Sequence, residues 1–222
     1  MKMKKTAIVL GSTGLIGGHV VNILLNDETF DKVITFVRKP LPINHAKLEQ
    51  QVVNFDDIKS YSHLIKGDVI FCCLGTTIKT AGSQAAFKKV DFEYPLNFAK
   101  AGKQNGVKQY LIISSIGATT HTSNFYLKTK GEIENEIKKL NFESFTALRP
   151  SMLLGDRKEF RLGESIGKLI MTVFSFLFIG PLKRYKAVQA SVVAKAMVNQ
   201  SKLMLQGEKV VLSDEIQAIG KV

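Results

Sequence analysis

Three observations predict a doubly wound, parallel α/β sheet. Apolar runs of strand length alternate with segments of helical period from the N-terminus to about residue 212. The first run breaks at a glycine cluster, Gly11, Gly14 and Gly17, and a helical pattern resumes at once. Two later runs end in small and polar residues, Gly75-Thr76-Thr77 and Ser114-Ser115-Ile116-Gly117. Right-handed crossovers between parallel strands gather all these strand ends on one edge of the sheet. At 222 residues, 45% hydrophobic and 23% charged, the chain fits one domain with a full core.

Taken in order, residues 6–10 read as a buried first strand and residues 15–25 as the helix that follows it. Gly11 permits a sharp turn off the strand, Gly14 permits backbone to approach a ligand, and Gly17 lets the helix pack close on the sheet. The first N–H groups of that helix lack intrahelical partners and point at the turn, which suits an anion. A dinucleotide pyrophosphate is the expected ligand, held by Gly11, Ser12, Thr13 and Gly14 with Leu15, Ile16 and Gly17 behind them.

Residues 32–37 (KVITFV) form the expected second strand and run into Arg38, Lys39 and Pro40. An acid at this strand end would bind the adenosine 2′-hydroxyl of NAD and repel a 2′-phosphate. None stands there, and Arg38 with Lys39 offers a phosphate fork, so NADP (NADPH) is expected over NAD. Two solvated charges are the plain alternative.

Residues 48–55 read as a weaker strand; the Asp56-Asp57 carboxylates could touch the adenine edge, but a cap for a short helix through Leu64 and Ile65 is the favoured reading. Residues 68–74 (DVIFCCL) form the next buried strand, which places Leu74, Gly75 and Thr76 along the cofactor. A helix over residues 85–103 contains Pro95, which kinks it or marks a helix start. Strand 109–113, loop 119–124, helix 125–140 and strand 145–148 follow, the last closed by Arg149 and by Pro150 at the cofactor edge.

Composition excludes several classes. The apolar run behind the basic start MKMKK ends after five residues, too short for a secretory signal, so the cytoplasm is the expected location. Cys72 and Cys73, the two cysteines, are adjacent in a strand and point to opposite faces, as buried thiols and not a disulfide. His19, His45, His63 and His121 lack metal-ligand spacing, so no metal is expected. The net charge of +12 is spread along the chain without an aromatic-interleaved basic stripe, which argues against nucleic acid.

The informative constellation is Ser115, Tyr126 and Lys130. Tyr126 and Lys130 lie four apart, on one helical face. An ammonium near a phenol favours phenolate, and Lys130 also reaches toward a cofactor ribose. Ser115, at an adjacent strand end, is placed to orient a substrate oxygen. Singly, each has a bland reading as a helix pair or a strand-end turn; in this order behind a glycine turn they read as a reductase site.

Four segments carry a family resemblance: GSTGLIG at 11–17, LIISSIGA at 111–118, YLKTK at 126–130 and LRP at 148–150. The chain resembles the short-chain dehydrogenase/reductase superfamily, and CCLGTT at 72–77, SNFYLKTKGEIE at 123–134 and RPSMLLGDR at 149–157 resemble its atypical Tat-interacting-protein oxidoreductase group. The resemblance implies an NADP-linked Rossmann fold whose serine, tyrosine and lysine carry over to Ser115, Tyr126 and Lys130. It implies an enzyme acting on a carbonyl or alcohol, although some atypical members bind the nucleotide chiefly to regulate partners. Many members place an asparagine in the preceding helix to support a proton relay, and this chain has Asp91 there.

Residues 156–222 read as a C-terminal substrate-side or interface segment of a single domain spanning 1–222. Within it, fourteen uncharged residues at 169–182 fit a pocket-lining helix, a subunit interface such as a homodimer, or a membrane-surface segment, the first two ranked above the third. A helix over 190–205, a strand over 209–212 and a capped turn from Ser213 complete the reading. A small-molecule substrate is expected, its identity unspecified.

Overall fold

The computed structural model describes residues 4–155, 184–203 and 205–221. The uncharged run at 169–182 lies outside them. Strand β1 (Lys5–Leu10) leads through the glycine turn to helix α1 (Leu15–Asn26), then β2 (Phe30–Val37) and β3 (Leu48–Val52). A single-turn helix α2 (Ile58–Tyr61) with a 3₁₀ turn precedes β4 (Val69–Cys72). Short helices α3 (Ile78–Ala81) and α4 (Gln84–Lys88) run through a π-turn at Lys89–Glu93 into α5 (Tyr94–Gln104). Next come β5 (Gln109–Ile113), α6 (Phe125–Lys138), β6 (Ser144–Arg149), and the paired short strands β7 (Leu153–Leu154) and β8 (Val188–Gln189). Helix α7 (Ala190–Lys202), β9 (Gly207–Leu212) and α8 (Ser213–Ile219) close the chain.

The main sheet has seven strands in the order β3-β2-β1-β4-β5-β6-β9, every pairing parallel. The order reverses between β1 and β4, and the crevice at that switch point opens beside the Gly11 turn. This is the expected doubly wound Rossmann arrangement, with β9 added beyond β6.

Period-two alternation sends each strand's side chains to two cores. Ala7, Val9, Val69 and Phe71 pack with α1 and α7 on one face; Ile8, Leu10, Ile70 and Cys72 pack under α5 and α6 on the other. The two cysteines divide accordingly, Cys72 into the second core and Cys73 against the first, and both are free thiols. The second core ends in an aromatic cluster in which Phe98 packs edge-on against Phe36 at 5.1 Å and tilts against Phe55 at 5.6 Å. Each such fully buried ring contributes about 1.5–3 kcal/mol by removal from water.

Pro95 marks a helix start, lying in the first turn of α5. Proline has no N–H to give the carbonyl four residues earlier, and the π-turn lies immediately upstream of it. Asp57 occupies the N-cap position of α2, but its side chain makes no cap hydrogen bond, which corrects the expectation of a carboxylate cap. The neighbouring Asp56 carboxylate is spent elsewhere, on Tyr94 and Lys89. Helix α7 and strand β9 pack on the main fold: α7 lies against α1, and β9 pairs along the whole of β6.

Candidate functional site

The glycine turn is built from backbone, and at Gly11 and Gly17 the structure leaves no room for a side chain. Gly11 has a φ of 75°, and a Cβ there would lie 2.6 Å from the Cys73 carbonyl. A Cβ on Gly17 would lie 2.1 Å from the Gly11 carbonyl oxygen, the same oxygen that accepts the Gly14 N–H at 2.9 Å. Gly14 is the N-cap of α1 and supplies no capping oxygen, and no acid stands in the first turn. The positive end of α1 thus receives no compensating charge from its own first turn. Beside it the Ser12 hydroxyl is buried without a hydrogen-bond partner. An uncapped helix N-terminus, a Cβ-free cradle and a buried unsatisfied hydroxyl fit a bound pyrophosphate. Thr13 and Gly14 are open to solvent, Leu15 is half-buried, and Ile16 and Gly17 face the core.

Arg38 and Lys39 stand exposed just beyond β2, and neither makes an ion pair among the described residues. Leu74, Gly75 and Thr76 follow β4 at the same sheet edge. Here the chain turns over a buried ion pair. The Thr76 N–H donates to Asp91 Oδ2 at 2.8 Å, and Asp91 Oδ1 faces Lys130 Nζ at 2.7 Å. Both side chains are almost wholly buried, at 1% and 5% exposure. Burial alone would lower the Lys130 pKa, but the Asp91 charge, with Tyr126 and Cys72 adding to it, outweighs that and raises it. Lys130 is a permanent cation at neutral pH.

Helix α6 presents its functional groups at four-residue spacing. Asn124 caps it by accepting the Leu127 N–H at 3.0 Å, which sets where the first turn begins. Tyr126 is half-buried with its ring 5.8 Å from Phe87, Lys130 comes one turn later, and Glu134 one turn after that. Glu134 was not among the expected site residues. Its carboxylate takes both arms of Arg149, Nε at 3.0 Å and Nη2 at 2.6 Å, and also accepts the Ser114 hydroxyl. One helix stripe therefore engages the loop after β4 through Asp91, the end of β5 through Ser114, and the end of β6 through Arg149. The signal was visible as a third i+4 position on the Tyr126 and Lys130 face; its partners were not.

Ser115 is half-buried, and among the described residues its hydroxyl bonds to the Ile116 carbonyl alone, at 3.3 Å. Ser114, the neighbouring hydroxyl, is the one locked into the ionic cluster. Pro150 is buried and accepts the Ile116 N–H at 3.0 Å, which joins the loops after β5 and β6. All four histidines are exposed, and no metal-binding group of side chains occurs among the described residues. No described helix is long and apolar enough to cross a membrane.

Comparison with known proteins agrees with this arrangement. Residues 11–169 match the family model described as NAD(P)H-binding. "Protein FMP52, mitochondrial" of Candida albicans is 33% identical over 221 residues, covering 97% of this chain and 94% of that protein. "Protein HTATIP2" of Rattus norvegicus is 36% identical over 168 residues, covering 74% of this chain and 69% of that one. Among solved structures, MoeE5 in complex with UDP-glucose and NAD superposes with a TM-score of 0.69 at 17% identity, covering 97% of this chain and 80% of that one. At that identity the likeness shows the fold.

The cytoplasmic expectation is overturned by these relatives, since FMP52 proteins of several fungi are named mitochondrial. The short apolar run argued against a secretory signal only, and that argument does not separate the cytosol from an organelle. With a parallel Rossmann sheet, a glycine cradle and relatives of this length and identity, the chain belongs to the NAD(P)H-binding Rossmann family, in the HTATIP2-like atypical group of short-chain dehydrogenases/reductases.

Proposed function

We propose that the protein is an NADP-dependent oxidoreductase acting on a carbonyl or alcohol, with Tyr126 as proton donor and acceptor. The observation that carries this reading is the buried Lys130 ammonium, held by Asp91 beneath the Gly75 turn and electrostatically coupled to Tyr126 one helical turn away. A bound dinucleotide would supply the hydride donor or acceptor. The residues of the chain do the rest. In the reductive direction the Tyr126 phenol gives its proton to the carbonyl oxygen, and the Ser115 hydroxyl holds that oxygen. Lys130 contributes a fixed positive charge beside the phenol as the proton leaves, and its remaining N–H groups serve a ribose. Arg38 and Lys39 favour the 2′-phosphate.

The test is NADPH oxidation across a panel of aldehydes and ketones by the protein and its Tyr126→Phe variant. The variant loses turnover by at least about a hundredfold, the scale of a lost proton donor, while its NADPH affinity stays within about twofold. Equal turnover overturns the mechanism.

One observation favours a second reading. Because Asp91 neutralises Lys130, the cation does not face the phenol alone, and a protein built this way also suits a nucleotide-binding sensor or interaction protein. That reading predicts tight NADPH binding with no turnover across the panel.

A further inference from the structure

We infer that Lys89 sets the preference for NADP by neutralising Asp56, so that Arg38 and Lys39 meet the 2′-phosphate without an opposing carboxylate. The inference rests on the nucleotide reading above and deepens it.

Three side chains from separate stretches, Asp56, Lys89 and Tyr94, meet beyond the ends of β2 and β3. The Val53 N–H donates to the Val37 carbonyl at 2.9 Å, which holds the start of the post-β3 loop against the strand end that carries Arg38. Two residues on, the buried Phe55 ring packs 5.4 Å from Tyr94 and 5.6 Å from Phe98, fixing the loop to the start of α5. Asp56 is left exposed at the top of this anchor. Its Oδ1 accepts the Tyr94 hydroxyl at 2.6 Å and meets Lys89 Nζ at 2.7 Å. Arg38 is close enough to Tyr94 to oppose the rise of its pKa. The π-turn that carries Lys89 and the helix start that carries Tyr94 thus deliver a cation and a hydroxyl to one carboxylate.

The chemistry follows from charge. A free carboxylate at this edge is the feature by which an NAD site turns away a 2′-phosphate. Asp56 is not free: the Lys89 contact, then the Tyr94 hydrogen bond, lower its pKa, so it stays ionised yet paired. Burial, reinforced by Asp56, pushes the Tyr94 phenol up to about 12, so it remains a hydrogen-bond donor through neutral pH. Asp57 and Glu93 also stand exposed at this corner and bring further negative charge. With acids this close, one neutralising lysine tips the balance in favour of a doubly charged phosphate.

Dissociation constants for NADPH and NADH, read from dinucleotide emission in a chain without tryptophan, test this in Lys89→Gln, Asp56→Asn and the double variant. Lys89→Gln weakens NADPH by about two- to fivefold, the scale of an exposed charge, and leaves NADH unchanged. Asp56→Asn tightens NADPH by a similar factor, and the double variant returns near the starting ratio. Added salt shrinks all these differences. Equal shifts for both nucleotides, or none in either single variant at unchanged thermal stability, overturn the inference. Failure of the unaltered protein to bind either nucleotide instead removes the proposed function.

Discussion

The two halves of the site are made of different materials. The glycine turn offers N–H groups, a helix end and space, and it functions by what its residues lack. The α6 stripe is made of side chains, with Lys130 and Glu134 buried as charges, one paired with Asp91 of the π-turn and the other with Arg149 at the end of β6. A backbone site is intolerant of a single added methyl group where the chain crosses itself. A side-chain site is intolerant of a lost partner, because what remains is a buried charge without compensation.

The largest effect that follows from this contrast is at Gly17. A Cβ 2.1 Å from a backbone oxygen cannot be relieved by rotating a side chain, so Gly17→Ala costs more than about 4 kcal/mol and abolishes nucleotide binding. Gly18→Ala is the control. Its Cβ would meet only Ser12 O at 3.6 Å, and replacing a helical glycine there is neutral or gains about 0.5–1 kcal/mol. Urea denaturation midpoints compare the two, and a tolerated Gly17→Ala would show that the turn is not closed by backbone contact.

On the side-chain half, Glu134→Ala strands the Arg149 guanidinium and costs about 3–5 kcal/mol in the same measurement. The exposed pair of Glu136 with Lys139, two residues along and on the outer face, costs less than about 0.5 kcal/mol when Glu136 is replaced by alanine. Similar losses at both sites would dissolve the distinction between inner and outer faces of α6.

Lys130→Met leaves Asp91 buried with the Thr76 N–H as its one remaining partner among the described residues and costs about 3 kcal/mol; adding Asp91→Asn recovers much of that loss. Additive losses in the double variant would show the two groups to be independent. Because the folded-state pKa of Lys130 is raised, its contribution is fully present below the ordinary lysine value and fades only as pH climbs through the higher folded one. Stability from this pair is therefore flat from pH 6 to 9.

A smaller effect than at Lys130 lies at the far end of α1, where Asp27 pairs with Lys202 of α7. Burial opposes ionisation of Asp27, but Lys202 and Thr29 outweigh it and lower its pKa. The stabilisation is present above the ordinary aspartate value and is lost as pH falls through the lower folded value. With the Lys202 side chain 36% exposed, the pair amounts to less than about 1 kcal/mol, and Asp27→Asn removes it together with that segment of the acid titration.

Much of this was legible in advance. Strand β5 begins and ends at the expected residues, and α1, α6 and β6 deviate by one or two positions, because long periodic segments announce themselves in any context. That Tyr126 and Lys130 share one helix was equally legible from their spacing. Legibility stopped where a residue's role depends on something distant. Ser114 and Ser115 are indistinguishable as a strand-end pair, yet one is bound to Glu134 and the other has only its neighbour's carbonyl. Asp57 read as a cap because caps are local; Asp56 was claimed by Tyr94 and Lys89, more than thirty residues on.

The sequence by itself determined the alternation of strand and helix, the glycines that close the turn, and the face of α6 that carries Tyr126, Lys130 and Glu134. All of these are set by interactions within a few residues, through hydrophobic period, backbone freedom and i+4 geometry. Tertiary structure alone decided which charges meet: Lys130 with Asp91, Glu134 with Arg149, Lys89 with Asp56. A parallel sheet brings strand ends together from the whole chain, and Coulomb interactions between the groups gathered there depend on distance in space, to which distance along the chain is no guide.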